Sequence, residues 1–346
     1  MSASTSENDQ LPAGGQRTVD EDRRTAETDA PFRFASPASK RRMLIIVNPY
    51  ATTVSDRLRN LVVYALQGRF EVDAVDTEAR GHATELCREA AHEGYDVVVA
   101  FGGDGTVNEA ANGLIGSPTP LCCLPGGSAN VFAKMLGIPG DVVDATEHLL
   151  AMADDWRPRK VDLGVVNGRC FTFASGLGLD ASVVERGDAN PKMKARLGPY
   201  FFAWVAVSTV LRRYQLSPPR LRVDAGEGHG QLEGVTAIVQ NGGTFTYFQN
   251  RPIEIADGGA LDSGALAGGV LRRANVVSML SLAWRAFSPR ARVAGHRQVS
   301  PLRDLRELTV RSADERPLPL EVDGDYLGEV TEARYSVMPN ALTVIS

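Results

Sequence analysis

Between Met43 and Leu136, short runs of apolar and β-branched residues alternate with longer segments in which apolar residues recur every three or four positions. The short runs are typical of buried strands in a parallel sheet, and the longer segments are typical of amphipathic helices. Successive parallel strands are joined by right-handed helical crossovers. This alternation predicts a three-layer α/β domain with a parallel sheet, which we assign to residues 41–155.

The pattern changes after Lys160, where apolar and polar residues alternate with a period of two. Asn167 and Gly168 separate two such runs and predict a tight hairpin turn. Residues 156–346 are therefore expected to form a mainly antiparallel β domain, interrupted by helices at 197–213 and 275–287. Residues 1–40 are polar and lack a periodic apolar pattern, so we expect a disordered tail there.

The stretch GGDGT, which begins at Gly102, follows a predicted buried strand and precedes a predicted helix. Such a turn makes an anion site, because unpaired amides and the positive end of the helix dipole face the same place. Thr106 and Glu109 match a capping box, which predicts that the helix begins at Thr106. Asp104 would repel a bound phosphate unless a divalent cation lay between them, so the loop predicts a site for phosphate and Mg²⁺. A solvated turn aspartate is the alternative.

A second glycine turn, in LPGGSANVF, repeats this arrangement after the next predicted strand. The first strand ends at Asn48 and Pro49, a turn pair. Ligands of open parallel sheets bind at the carboxyl ends of the strands, so Asn48 and both glycine loops should lie at one edge of the sheet. Two such loops on neighbouring strands favour a phosphate-binding function over a plain turn.

Charge and composition restrict the class of function. The formal net charge of −5 and the pI near 5.7 argue against a general nucleic-acid binder, because phosphate contacts require an excess of basic residues. The cysteines form no CxxC pair and the first residues lack a signal-peptide core, so we expect a cytoplasmic protein with reduced thiols. The longest strongly apolar run, at 200–211, is shorter than the roughly 20 residues that cross a bilayer, so no transmembrane helix is expected.

Four motifs, in this order and at these separations, resemble the diacylglycerol kinase catalytic family: GGDGT from Gly102, PGGSANVFAKMLGIP from Pro125, GLGLDASVV from Gly176 and VDGD from Val322. That family also contains sphingosine kinases and bacterial lipid kinases. The resemblance implies ATP- and Mg²⁺-dependent transfer of the γ-phosphoryl group to the hydroxyl of diacylglycerol or a related lipid alcohol. It also implies that the nucleotide binds between the two domains and that the lipid is met at the cytoplasmic face of a membrane.

The resemblance also implies roles for individual residues. The ATP-binding residues would be Gly102, Gly103, Gly105 and Thr106 around the phosphates, with Asn48, Gly126, Gly127, Ser128 and Asn130 in the same pocket. Asp325 lies where the family has the glutamate that takes the proton from the lipid hydroxyl, and in some branches Asp104 has that role, so both are catalytic candidates. Asp180 matches an aspartate associated with the acceptor head group. Asp257 and Asp262 match a segment that can carry a structural cation.

Three positions depart from the family pattern. The segment NPYAT, from Asn48, lacks the glycine that usually ends the first motif. Val131 stands where the second loop usually has an aspartate, which removes one polar contact. Asp325 is one methylene shorter than the family's glutamate, and a catalytic group displaced by about 1 Å can lose on the order of a hundredfold in rate. A turn residue is the alternative interpretation of Asp325, since Asp-Gly is a common hairpin turn.

Two other functions stay open on the sequence alone. An NAD kinase would share the GGDG loop, and a non-catalytic lipid or nucleotide sensor would share the fold without the base. The segment 192–213 joins basic residues to an aromatic, apolar helix, which suits a membrane interface and predicts peripheral membrane association. A helix packed on the second domain is the alternative there. The sequence leaves the oligomeric state open, a homodimer included.

Overall fold

The computed structural model describes residues 40–179, 181–182, 220–226, 230–248, 251–288 and 290–346. The predicted tail apart from Lys40, the predicted helix at 197–213 and Asp180 lie outside these ranges. Residues 40–346 form one compact unit. No helix within the described ranges is both long enough and apolar enough to span a membrane.

The first part of this unit alternates strands and helices, as the apolar pattern predicts. Its strands are β1 (Arg41–Val47), β2 (Phe70–Asp76), β3 (Val97–Gly102) and β4 (Leu121–Pro125). Its helices are α1 (Asp56–Gln67), α2 (His82–Glu93), α3 (Asp104–Gly113), α4 (Val131–Met135) and α5 (Val142–Met152). Helices α1 and α5 pack together, as do α2 and α3, with the sheet between the two pairs. The predicted α/β architecture is confirmed.

The helix starts follow from local sequence. The Ser55 hydroxyl caps α1 by accepting a hydrogen bond from the Leu58 amide at 3.3 Å, and the Asp141 carboxylate caps α5 by accepting from the Val143 amide at 2.8 Å. Helix α4 begins at Val131, later than the glycine turn suggests, because Asn130 takes a left-handed conformation with φ of 48°. Asparagine is one of the few residues that adopt this conformation readily.

The four parallel strands lie in the order β2-β1-β3-β4. The chain leaves β1 towards one side and β3 towards the other, so the strand order reverses between these two neighbours. Ligands of open α/β sheets bind outside the carboxyl ends of the strands at such a reversal. Asn48 follows β1 and GGDGT lies at the end of β3, so both motifs lie at this position.

The second part of the unit is mainly antiparallel. Its elements are β5 (Arg159–Val166), β6 (Arg169–Phe171), β7 (Ala174–Gly178), β8 (Leu221–Asp224), β9 (Gln231–Gly234), β10 (Thr236–Asn241), β11 (Thr246–Phe248), β12 (Arg251–Ile253), β13 (Leu266–Leu271), α6 (Val276–Phe287), β14 (Val299–Leu305), β15 (Glu307–Ser312), β16 (Leu318–Val322), β17 (Asp325–Val330) and β18 (Glu332–Val344). The predicted tight turn between β5 and β6 is present, with φ of 48° at Asn167 and 85° at Gly168.

Most of the described strands form two large sheets that face each other, and β11 and β12 form a separate two-stranded sheet. The first has the order β2-β1-β3-β4-β18-β15-β8-β9, with β5 paired to β18 and β6 paired to β5. The second has the order β14-β13-β10-β7-β16-β17. Buried residues from both sheets, including Phe171, Leu177, Leu320 and Tyr335, form one core between them.

Strand β18 connects the parallel and antiparallel regions, because it pairs in parallel with β4 and antiparallel with β5. The sequence predicts two separate strands at 333–338 and 341–345, but a register shift lets a single strand continue through both. The sequence prediction misses six strands: β9, β11, β12, β13, β14 and β17. The division into domains at residue 155 stays a prediction.

Candidate active site

The two glycine loops at the carboxyl ends of β3 and β4 pack backbone against backbone. The Gly126 amide donates to the Gly102 carbonyl at 2.8 Å. A Cβ atom on Gly126 would lie 2.9 Å from the Gly102 Cα, and one on Gly127 would lie 2.7 Å from the Gly103 Cα. Since real Cβ atoms do not approach backbone this closely, the loops meet only as glycines. Together, Gly102, Gly103, Gly126 and Gly127 form a patch of backbone without side chains of its own beside the start of α3, which we call the floor.

Asn48 joins the end of β1 to this floor. Its backbone amide donates to the Phe101 carbonyl at 2.9 Å, and its Nδ2 donates to Thr106 Oγ1 at 3.0 Å. Its Oδ1 accepts from the Tyr50 amide at 3.0 Å, which closes the turn after β1 without the glycine usual in the related motif. Asn48 thus positions the first turn of α3.

The capping box predicted from Thr106 and Glu109 is wrong. Helix α3 begins at Asp104, and its N-cap, Gly103, provides no side-chain hydrogen bond. Thr106 Oγ1 accepts from Asn48, and Glu109 Oε1 accepts from the Gly81 amide at 2.8 Å. Both candidate capping groups therefore bond to remote segments. The first turn of α3 is left without a side-chain cap, and unpaired first-turn amides of this kind bind anions.

Asp104 has a structural partner that the sequence does not reveal. Its Oδ1 accepts from the Val131 amide at 2.6 Å and from the Phe132 amide at 3.4 Å, at the start of α4. The carboxylate therefore ties the first glycine loop to the helix that follows the second. Burial, and next the negative charge of Asp323, raise the pKa of Asp104 to about 7, although the α4 amides oppose the shift.

We expect the stability of the protein to depend on the protonation of Asp104. The pKa of this carboxyl rises from 3.8 in the unfolded chain to about 7 on folding. The carboxyl therefore contributes its full stability below pH 3.8, and this contribution is lost as pH rises through about 7. Asp104→Asn keeps an oxygen for the Val131 amide and removes the charge. Between about pH 5 and pH 8, the wild type should lose on the order of 2 kcal/mol of unfolding free energy relative to this variant. Urea unfolding at both pH values measures the difference, and a difference independent of pH contradicts the assignment.

Asn130 and Ser128 take different places in the second loop. Asn130 is buried, and its side chain bonds to both backbone groups of Gly127, accepting from N–H at 2.9 Å and donating to C=O at 2.8 Å. It therefore shapes the loop. Ser128 is exposed at the loop surface. Val131, in the position where an aspartate is usual, is buried in the core.

Asp325 comes to the same place from the distant end of the chain. It is the first residue of β17, directly after a turn formed by Asp323 and Gly324, whose φ values are 50° and 82°. The turn aspartate is therefore Asp323. Asp325 Oδ2 lies 2.9 Å from the position of a Cβ atom on Gly105, in the first turn of α3. Its side chain is 39% exposed, and Oδ1 lies 3.9 Å from Arg80 Nη2.

Asp323 fixes this hairpin against α3 and against the segment that joins β6 to β7. Its buried carboxylate accepts from the amides of Thr172, Phe173 and Ala174 at 2.7, 3.0 and 3.1 Å, and from the Thr172 hydroxyl at 2.8 Å. Asn108 Nδ2, on α3, donates to it at 2.8 Å. Sequence reasoning missed this residue, although the VDGD motif contains it. The signal was a second acid beside the turn glycine.

The two candidate cation ligands do not lie in an acidic cluster. Asp257 accepts hydrogen bonds from Arg292 Nη1 at 3.0 Å and from Arg303 Nη2. Asp262 lines a pocket of about 410 Å³ together with Lys134 and Tyr247. Among the described residues, no group of three or more His, Cys, Asp or Glu side chains could hold a metal ion. A structural cation at Asp257 and Asp262 stays a prediction, as does the role of Asp180.

Comparison with known proteins agrees with these motifs. Residues 42–166 match the family model described as "Diacylglycerol kinase catalytic domain". A protein named diacylglycerol kinase from Staphylococcus aureus (strain JH9) is 33% identical over 168 residues, which cover 47% of this chain and 51% of that protein. Its counterpart from strain bovine RF122 / ET3-1 is 34% identical over 170 residues. The matched region thus spans about half the length of these curated relatives.

Solved structures show the same fold over a longer stretch. A crystal structure of a diacylglycerol kinase from Bacillus anthracis str. Sterne superposes with a TM-score of 0.67 at 22% identity, over 88% of this chain and 96% of that one. At this identity the likeness concerns the fold alone. The family match covers both glycine loops, with the Asn48 turn and helix α3 between its limits. Residues 42–166 are therefore similar to the diacylglycerol kinase catalytic domain family.

Proposed function

We propose that this protein is an ATP- and Mg²⁺-dependent lipid kinase that transfers the γ-phosphoryl group to the hydroxyl of diacylglycerol or a related lipid alcohol. The observation that carries the proposal is the meeting of Asp325 with the first turn of α3, beside the two glycine loops. A carboxylate from the β-rich part thereby reaches the position where a phosphate would bind to the α/β part. We further propose that residues 41–155 bind the nucleotide, that residues 156–346 bind the lipid, and that the enzyme is peripheral at the cytoplasmic face of a membrane.

The chemistry of the two glycine loops supports a nucleotide site. The glycines of both loops have no side chains of their own, so a phosphate group can approach their backbone. The uncapped first turn of α3 offers amides of Gly105 and Thr106 to phosphate oxygens. Asn48 and Asn130 hold the two loops in shape through their side-chain hydrogen bonds. Ser128, exposed on the second loop, is available for a polar contact with the nucleotide.

The carboxylates near the floor also suit a Mg²⁺ ion that is bound together with a nucleotide. Mg²⁺ usually keeps several waters and is bound through one or two carboxylates and substrate phosphates. Asp325 is the partly exposed carboxylate at the floor, and Asp104 Oδ1 is already used by the α4 amides. We therefore expect Asp325 to face the ion and the phosphates, with Asp104 as a positioning residue. A bound Mg²⁺ would neutralise charge on the transferred phosphoryl group.

Phosphoryl transfer requires little covalent help from the protein beyond alignment and one acid–base group. We propose that Asp325 accepts the proton of the lipid hydroxyl as its oxygen attacks the γ-phosphorus. Arg80 forms an ion pair with this carboxylate, with its Nη2 3.9 Å from Asp325 Oδ1. The hairpin approaches Gly105 so closely that the shorter side chain of aspartate reaches the floor, which offsets the missing methylene.

A methyl group at Gly105 should displace Asp325 and lower activity without unfolding the protein. The clash in Gly105→Ala is with the end of a side chain, which can rotate away at little cost in stability. Alanine also favours the helical conformation. We expect transfer to fall by about a hundredfold, as for a catalytic group moved by about 1 Å, with an unchanged melting temperature. In the Asp325→Ala background the same change should have little further effect, and a full additional loss there contradicts the coupling.

The proposed reaction class is tested by incubating the protein with γ-labelled ATP, Mg²⁺ and vesicles that contain diacylglycerol, monoacylglycerol, ceramide and sphingosine. A parallel reaction contains NAD⁺. A labelled lipid supports the proposal and identifies the acceptor. Label found in NADP⁺ alone indicates an NAD kinase, and ATP binding without transfer to any acceptor indicates a sensor. Either of these results overturns the proposed function.

A further inference from the structure

Helix α6 exposes a large apolar face. Val277, Leu280 and Trp284 are 74%, 58% and 62% exposed, although each is a residue that folding normally buries. Successive residues of an α-helix are rotated by about 100°, so these three lie within a sector of about 60°. They form a continuous stripe along one side of the helix, which we call the α6 stripe.

The opposite side of the same helix packs against the protein. Met279, Leu282 and Ala286 pack against a small core that includes Val293 and Val299. The Asn275 side chain caps the helix by accepting from the Ser278 amide at 2.8 Å. Helix α6 is therefore held in place by its inner side, and the α6 stripe is not needed to attach it. Its exposure points to a partner outside the described chain.

The charge around α6 identifies the kind of partner. From residue 263 to residue 303 the sequence contains no Asp or Glu and seven arginines. Asp257 pairs with two of them, Arg292 and Arg303, which leaves Arg272, Arg273, Arg285, Arg290 and Arg297. All but Arg285 of these five are exposed. An apolar stripe with tryptophan, flanked by arginines, is the composition of helices that lie in the interface of anionic bilayers.

We propose that α6 docks this protein on anionic lipid bilayers, with the α6 stripe inserted among the lipids and the flanking arginines against the head groups. This inference rests on the proposed membrane-lipid substrate, but its test does not require turnover. A second copy of the chain is a poorer partner, because two α6 surfaces would bring arginines against arginines. Like charges placed together oppose association.

The position of α6 agrees with docking. It follows β13 and packs on the turn before β14, at one edge of the second sheet, whereas β16 and β17 carry Asp325 at the other edge. A bilayer held at α6 would therefore contact the protein away from the glycine loops. Docking there leaves the nucleotide floor open to solution.

The test is sedimentation of the full chain with vesicles of phosphatidylglycerol mixed with phosphatidylcholine, and with phosphatidylcholine alone, without ATP. We expect binding to the anionic vesicles that weakens as salt increases. Leu280→Glu with Trp284→Glu should reduce the affinity for vesicles by about tenfold or more, because the apolar surface of these two side chains is no longer transferred from water into the bilayer. The matched control is Leu61→Glu with Tyr64→Glu on α1, where the two side chains are 56% and 78% exposed. The control variant should bind as the wild type does.

A second pair of substitutions, Arg273→Glu with Arg290→Glu, tests the electrostatic part without touching the stripe. It should reduce binding to anionic vesicles and the blue shift of Trp284 fluorescence on binding. Equal binding by the wild type, the stripe variant and the arginine variant overturns the proposal. An equal loss of vesicle binding in the α1 control variant also overturns it. A dimeric wild type that becomes monomeric in the stripe variant, with unchanged vesicle binding, assigns the stripe to self-association instead. A docked protein that phosphorylates no lipid refutes only the proposed function.

Discussion

Asp325→Asn should reduce transfer to the lipid acceptor by about 10²- to 10⁴-fold, the usual contribution of a general base. The amide has the same size as the carboxylate, so the contact with Gly105 remains, but it cannot accept the proton of the attacking hydroxyl. ATP affinity should change much less, because the glycine loops and the α3 amides supply most of the expected phosphate contacts. Steady-state kinetics with a separate ATP-binding measurement distinguish these two effects.

The control for this prediction is the melting temperature, which should stay close to that of the wild type because the Asp325 side chain is partly exposed. Asp325→Glu gives a second comparison. Its extra methylene has little room in front of Gly105, so we expect a smaller loss than for asparagine and no gain. An Asp325→Asn variant that transfers phosphate at the wild-type rate would contradict the assignment and return Asp104 to consideration as the base.

Asp323→Ala should have the largest effect on stability. The buried carboxylate accepts from three consecutive backbone amides, from the Thr172 hydroxyl and from Asn108. Each buried donor left without a partner costs about 1–3 kcal/mol. With partial relaxation and access of water, we expect a total loss of roughly 3–5 kcal/mol in the free energy of unfolding, which is large for a domain. Urea denaturation, or a lower yield of folded protein, measures it.

The matched control for Asp323→Ala is Asp314→Ala. Like Asp323, Asp314 accepts from a hydroxyl and a backbone amide, those of Ser312 and Arg316, but it lies at the surface, where it also pairs with Arg220. Exposed pairs of this kind contribute little, so the control should unfold close to the wild type. Comparable losses in the two variants would contradict the anchoring role of Asp323. If that role is correct, Asp323→Ala also lowers activity, because the hairpin that carries Asp325 loses its attachment.

The α/β part of the fold could be predicted because its signals are local. The apolar runs of β1 to β4, the Ser55 and Asp141 caps and the period of three to four in α1 and α2 all lie within a few residues of the element that they specify. The antiparallel part was predicted less completely. Strand β18 is interrupted by a register shift, and β13 pairs with β10 and β14, which lie more than 20 residues away along the chain, so neither strand is specified by local sequence alone.

The candidate site could likewise be predicted only in part. The two glycine loops and the helix N-terminus were recognisable from composition, since only glycine permits the close packing that the structure contains. The bonds of Asp104, Glu109 and Asp323 were not, because each joins segments far apart in the sequence. The sequence suggested a role for Asp104 in binding phosphate and Mg²⁺, because an acid beside an anion site is unusual. In the structure, its carboxylate accepts hydrogen bonds from amides at the start of α4. A side chain's type identifies the chemistry it can perform, but the fold decides whether it faces the ligand.

The most direct test of the lipid kinase claim is transfer of the γ-phosphoryl group from ATP to diacylglycerol in vesicles by the whole 346-residue chain, with and without Mg²⁺. We expect a labelled lipid phosphate that forms with Mg²⁺ and disappears when the metal is chelated. ATP that binds to the glycine loops while diacylglycerol and the other lipid alcohols stay unlabelled would contradict it.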